Sequence, residues 1–256
     1  MQETKTLPTA RRRIRIYTGW VIMIAMTEGQ LGPRLAQVRA QIDAAAIKCG
    51  RSPHEVTLIA ISKTHAASLV REAIQLGATD IGENRVQEAE QKINEVGRTA
   101  ARWHLVGHLQ ANKARRAVQL FDVIHSLDSV ELARRLDRLC DEESRDLSVL
   151  IQVDLGHEET KSGIDETELP QLIEALSELK HLRLAGLMTL PPFFDDPEEA
   201  RPFFRRLREL RDDLAARGAF GDQKGELSMG MTNDFEVAIE EGATMVRVGT
   251  AIFGNR

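Results

Sequence analysis

From Val56 onward, short apolar runs alternate with longer amphipathic stretches, and this alternation narrows the possible folds more than any other feature. The runs are "VTLIAIS" (56–62), "TDIGEN" (79–84), "RWHLVG" (102–107), "DVIHSLD" (122–128), "LSVLIQVDL" (147–155), "LRLAGLMTL" (182–190), "GELSMGM" (225–231) and "TMVRVGTAIF" (244–253). Their length and apolar content predict buried strands. The intervening segments, such as "SLVREAIQLG", "VQEAEQKINEVG" and "SVELARRLDRLCDEE", carry the period of helices packed on a sheet. Gly77, Gly97, Gly218 and Gly242 stand where helix C-termini are expected. Eight βα repeats in one stretch predict an α/β fold, a (β/α)8 TIM barrel forming a single domain, preceded by an extra N-terminal helix from about Gln30 to Lys48.

A chain of 256 residues with 42% hydrophobic content can build one such barrel. Its formal net charge of −5 excludes the broad basic footprint of a nucleic-acid binder, so a phosphate ligand must be gripped locally. Cys49 and Cys140 form no metal-like spacing and suit a reducing compartment. Residues 1–25 pair "RRRIR" with "IYTGWVIMIA", which imitates a signal peptide. The apolar part is too short to span a bilayer, and no small-x-small cleavage site follows. The expectation is therefore a disordered or mis-started extension over 1–25, a barrel domain over 26–256, a cytoplasmic location and no membrane partner.

Barrels of this kind carry their chemistry at the C-terminal ends of the strands. Read in order, those ends supply Ser62-Lys63-Thr64, Glu83-Asn84, Gly107-His108, Asp128-Ser129, Asp154, Thr189, then "SMGMTND" with Ser228 and Gly230, and finally Arg247 with Gly249 and Thr250. The last two clusters combine glycines, hydroxyls and helix starts, the ingredients of an anion cradle after strands seven and eight. Gly230 and Gly249 are equally compatible with ordinary turns.

Lys63 closes the apolar run "LIAIS". A lysine sheltered there, beside cationic neighbours, is expected to have a lowered pKa and to act as a nucleophile towards carbonyls.

These segments, with "AISKTH", "IGENRVQEAEQK", "WHLVGHLQANK", "HSLDSVELA", "LIQVDLGHEETKSGI", "LAGLMTL" and "LSMGMTNDFEVAIEEGATMVRVGTAIFG", resemble the pyridoxal phosphate homeostasis protein family, which is similar to the N-terminal barrel of alanine racemase. The resemblance spans about residues 30 to 254. It implies that Lys63 holds pyridoxal 5′-phosphate (PLP) as a Schiff base, that Ser228, Gly230, Gly249 and Thr250 bind the phosphate, that Arg247 faces the pyridine nitrogen, and that Asn84 lies near the ring. An arginine in that place stays protonated, leaving the ring a weaker electron sink than one paired with a carboxylate. Arg85, His65 and Thr232 depart from the family's usual residues, and Thr232 keeps the hydroxyl.

Racemisation needs a second acid/base opposite the lysine, which alanine racemase supplies as a tyrosine from another domain. Here the single tyrosine is Tyr17, in the extension, and the chain stops at Arg256. The resemblance thus implies a carrier and regulator of vitamin B6 balance with no catalytic residues, a monomer whose partners are PLP and apo PLP-dependent enzymes. The alternative is a Schiff-base aldolase or a racemase-type enzyme on the same barrel. No metal is expected, since "HLVGH" places His104 and His108 in a strand-to-loop stretch without the glutamate of a zinc protease. Asp128 and Asp154 are expected to serve as a cap or to pair with a lysine. Lys113 and Lys161 are expected near the mouth to attract the phosphorylated ligand. The helix "ARPFFRRLRELRDDLAARG" is expected to turn Phe203, Phe204, Leu207, Leu210 and Leu214 to the sheet and its arginines to water.

Overall fold

The computed structural model describes residues 30–156 and 162–255. The extension expected over 1–25 and Lys161 lie outside the described residues. Helix α1 (Leu31–Lys48) precedes β1 (Thr57–Ile61), and the chain then alternates α2 (Ala67–Gln75), β2 (Asp80–Glu83), α3 (Val86–Val96), β3 (Arg102–Leu105), α4 (Ala114–Leu120), β4 (Val123–Leu127), α5 (Val130–Glu142) and β5 (Leu147–Gln152). It continues through α6 (Leu169–Ser177), β6 (Leu182–Met188), α7 (Arg201–Ala216), β7 (Glu226–Ser228), α8 (Phe235–Glu240), β8 (Met245–Val248) and α9 (Thr250–Phe253). The strands pair in chain order, all parallel, and β8 pairs back onto β1 to close the barrel. This is the (β/α)8 architecture that the alternation predicts.

Side chains alternate across a strand, so each strand divides its residues between the barrel axis and the helical shell. On β1, Leu58 and Ala60 pack with the helices, whereas Ile59 and Ile61 turn inward, where Val106, Val123, Leu150, Met188 and Met245 fill the interior with them. The register Ile59↔Asp80 and Ile59↔Arg247 brings charged residues of β2 and β8 to the same inward level. A register irregularity between β4 and β5 spans Ile124 to Leu127, around His125, which is fully buried. Such irregularities re-aim side chains locally.

Helix α1 buries Leu31, Leu35, Val38, Ile42, Ala45 and Ala46, at the spacing of one helical stripe, against α8 and α9. Lys48 adds an ion pair to Glu240 at 2.6 Å. In α5, Leu132, Ala133, Leu136, Leu139 and Cys140 form the buried stripe, and burial pushes the Cys140 thiol up to about 11.

Two local expectations need correction. The run "TMVRVGTAIF" is strand only to Val248, because the chain turns at Gly249 and Thr250–Phe253 coil into α9. In α7, Phe204 and Leu207 are buried, but Arg211 is buried with them rather than facing water. Its guanidinium donates to the Gly225 carbonyl at 2.9 Å and to Asp212 at 2.6 Å, and these bonds compensate its desolvation.

Candidate active-site cavity

A cavity of about 910 Å³ opens at the C-terminal mouth of the barrel, within the roughly 300–1,000 Å³ typical of small-molecule sites. Lys63, Asn84, Arg247, Gly249 and Thr250 line it together. Ser228 and Gly230 lie beneath the lining, both buried. Inward parity explains Lys63: it follows Ile59 and Ile61 at steps of two, so it projects towards the axis just past the end of β1. The expected shelter is not found there. Lys63 is exposed, because it sits in the turn beyond the strand, where Thr64 adopts a left-handed φ of 67°.

The most deeply buried charged residue on the wall is Arg247, 3% exposed. Its Nη1 donates to Ser228 Oγ at 2.7 Å and its Nη2 to the Thr189 carbonyl at 2.9 Å. Desolvation lowers the guanidinium to about 10, against the pull of Asp234, so it remains charged at neutral pH. Asp234 accepts from the Met231 N–H at 2.6 Å, while its burial raises the carboxyl. The Arg247 backbone N–H donates to the Gly230 carbonyl at 3.0 Å. Gly230 has φ 88°, and a Cβ there would come within 2.6 Å of Ala238 Cβ and 2.9 Å of Phe235 Cα, so both conformation and space demand glycine.

The Lys63 segment is tied down from behind. Ser62 points outward and its hydroxyl donates to Glu83, while Lys92 of α3 donates to Glu83 at 2.5 Å and to the Ser62 carbonyl at 2.6 Å. Lys92 and Glu83 are both buried. Burial pushes the Glu83 carboxyl up even against Lys92. Glu88 of α3 accepts from the Thr64 N–H at 3.0 Å. Asn84, directly after Glu83, is half-buried and packs on Gly107. A Cβ on Gly107 would press inside van der Waals contact of the Asn84 carbonyl oxygen and stand 3.0 Å from its Cα. Gly107→Ala is therefore expected to destabilise the fold by about 1–3 kcal/mol through overpacking. A thermal melt reads this as a drop of roughly 2–4 °C per kcal/mol, and an unchanged melt would show that Asn84 is not seated there.

Other singled-out residues part company. His104 lies inside the barrel, whereas His108 sits at the rim 3.2 Å from Asp128, so the two share no ligand position. Asp128 thus has a histidine for a partner, and Ser129 caps α5 by accepting from the Leu132 N–H. Asp154 accepts from the Gly156 N–H at 3.1 Å. Lys113, on a short turn after β3, does not line the cavity. Among the described residues no group of three or more His, Cys, Asp or Glu is placed to hold a metal, and no helix is long and apolar enough to cross a membrane.

The lining also contains residues outside the expected set: Thr232, His65 and the loop Leu190–Phe194 after β6. Thr232 carries its signal in "SMGMTND", as a hydroxyl beside the glycine turn. His65 stacks on Phe253 with ring centroids 5.3 Å apart, and Phe193 is 77% exposed at the edge. Neither has a sequence signal beyond proximity to a strand end.

A lysine amine, a buried guanidinium and the start of α9 at Thr250 therefore share one cavity, with hydroxyls at Thr232 and Thr250. Helix starts direct N–H groups outward and favour anions. The set suits a small, flat, carbonyl-bearing phosphate compound. Gly249 contributes close approach, since a Cβ there would stand 3.1 Å from the Ile61 carbonyl oxygen.

Comparison with known proteins follows the same line. A family model for the alanine racemase N-terminal domain matches residues 34–256. The pyridoxal phosphate homeostasis protein of Escherichia coli (strain K12) is 45% identical over 225 residues, covering 87% of this chain and 95% of that one. The structure of PipY from Synechococcus elongatus PCC7942 with PLP bound aligns with TM-score 0.74 and 39% identity, over 88% of this chain and 100% of PipY. An alanine racemase of Clostridium difficile 630 aligns with TM-score 0.64 and 15% identity, over 85% of this chain and 55% of the racemase, and shares the fold.

Proposed function

The chain belongs to the pyridoxal phosphate homeostasis protein family, and from that premise we propose that it binds pyridoxal 5′-phosphate in the barrel-mouth cavity and serves intracellular vitamin B6 balance as a carrier and regulator. The observation that carries this reading is the convergence of Lys63, Arg247 and the Gly249–Thr250 turn on one cavity. When bound, the cofactor would supply an electrophilic aldehyde, and the Lys63 amine would be the group that holds it.

Every other contribution belongs to the protein. Arg247, charged at neutral pH, offers its remaining N–H donors to the ring nitrogen and no proton acceptor. The Thr232 and Thr250 hydroxyls and the first N–H groups of α9 hold the phosphate. Gly249 lets that group approach the backbone, and Asn84 borders the ring. Ser228 acts through Arg247, and Gly230 acts by anchoring the Arg247 backbone. The protein works as a cytoplasmic monomer and hands its cofactor to apo PLP-dependent enzymes. A non-catalytic role is supported by the lining, which among the described residues holds no tyrosine to act opposite Lys63.

Purified protein mixed with PLP is expected to turn yellow and to retain the colour through gel filtration. Protein that stays colourless, and instead cleaves or condenses a carbonyl substrate, would favour the aldolase on the same lysine.

A further inference from the structure

The barrel interior holds a continuous chain of polar side chains. Asp80 of β2 lies 2.9 Å from His104 Nε2 on β3, His104 Nδ1 lies 2.9 Å from His125 Nε2 on β4, and His125 Nδ1 lies 2.9 Å from Ser228 Oγ on β7. Ser228 Oγ in turn accepts from Arg247. His104, His125 and Ser228 are fully buried, and Asp80 is 8% exposed.

We infer that Asp80, His104, His125 and Ser228 are positioning residues for Arg247, forming one hydrogen-bond chain of fixed direction that holds its guanidinium against the cavity. The inference rests on the proposed cofactor reading only for what Arg247 then contacts.

The direction follows from donor accounting. Arg247 can only donate and takes one of the two lone pairs of Ser228 Oγ, while at the far end the Asp80 carboxylate can only accept, so the direction is set from Asp80 through the two rings and ends with the Ser228 O–H given to His125 Nδ1. With Nδ1 accepting, a neutral His125 carries its proton on Nε2 and donates to His104 Nδ1. A neutral His104 likewise carries its proton on Nε2 and donates to Asp80. Burial pushes both imidazoles below their ordinary range, as this neutral pattern requires, and His104 and Thr79 hold the Asp80 carboxyl low despite its own burial. Every proton in the series points from the cation at the mouth towards the anion at the other end. Among the described residues no carboxylate is in ion-pair contact with Arg247, so this polarised series, with the Thr189 carbonyl, is what keeps a buried charge in place.

Histidine-selective ¹⁵N spectra of the unloaded, full-length protein test the chain directly. Both His104 and His125 are expected to give the neutral, Nε2-protonated signature at neutral pH, assigned with His104→Gln and His125→Phe. A charged or Nδ1-protonated ring at either position would overturn the assignment. The consequence is tested by loading the proteins with PLP and following its release on dilution. His125→Phe and Ser228→Ala should each release it roughly tenfold faster, the scale of one lost hydrogen bond to a charged group. His125→Gln, which keeps an acceptor towards Ser228, should stay within about twofold of wild type. Release unchanged in both Phe and Ala variants would remove the positioning role. Failure of wild-type protein to take up PLP would sink the cofactor reading instead, since the tautomers are read without ligand.

Discussion

Lys63→Ala protein, purified and mixed with pyridoxal 5′-phosphate, is expected to stay colourless after gel filtration, and borohydride treatment is expected to add no mass to it. Wild-type protein treated in the same way should bleach and carry the reduced cofactor on the peptide containing Lys63. The loss should be complete because Lys63 is the one lysine among the described residues that line the cavity. Lys92, the other lysine near this strand end, is buried behind it and committed to Glu83 and the Ser62 carbonyl. Arg247, Thr232 and Thr250 remain in the variant, so weak, reversible binding should survive as a competitive effect on loading of the wild type. Lys63→Arg separates charge from chemistry. It keeps the cation and should improve that residual binding while still taking up no reducible mass. Equal labelling of wild type and Lys63→Ala would mean that the amine lies elsewhere.

The second large effect concerns the support beneath that lysine. Lys92→Met leaves the Glu83 carboxyl buried without the cation that balances it, and breaking a buried pair from one side costs about 3–5 kcal/mol. At roughly 2–4 °C per kcal/mol for a domain of this size, the melting temperature should fall by about 6–20 °C. The double variant Glu83→Gln with Lys92→Met removes both charges and should recover most of the loss, because desolvation opposes much of what the pair contributes. The proximity of the pair to the site adds a second readout. Lys92 anchors the Ser62 carbonyl one residue before Lys63, so the double variant should remain stable yet load PLP more slowly. If Lys92→Met melts within about 1 °C of wild type, the buried pair is not formed as described.

The barrel is legible in the amino-acid pattern because strand and helix periods alternate without interruption, and the strand ends then follow by position. Lys63, Asn84, Arg247, Gly249 and Thr250 come together for that reason. The exposure of Lys63 is not legible, since parity gives the direction of a side chain but the depth of the mouth depends on the loops around it. The interior chain is hidden for a different reason. Asp80, His104 and His125 each interrupt an apolar run, but whether their rings and carboxylate meet is decided by the stagger between neighbouring strands, such as Asp80↔Arg102 beside Gly82↔His104. Lys92 is masked by its setting in a charged helix, where a lysine normally faces water. Arg211 is masked in the same way, and its carbonyl acceptor at Gly225 lies beyond the reach of any helical periodicity.

Closure of the cylinder by its first and last strands also dictates when the protein becomes competent during synthesis. Ile59, two positions along the inward row from Ile61, is paired with Arg247, so the two halves of the pocket come from opposite ends of the described chain. A nascent chain emerging from the ribosome presents its amine long before the guanidinium that accompanies it, and contacts of such long range form late. Retention of the vitamin is thereby a report on completed folding, and a translation product stalled before its eighth strand has no grip on a reactive aldehyde.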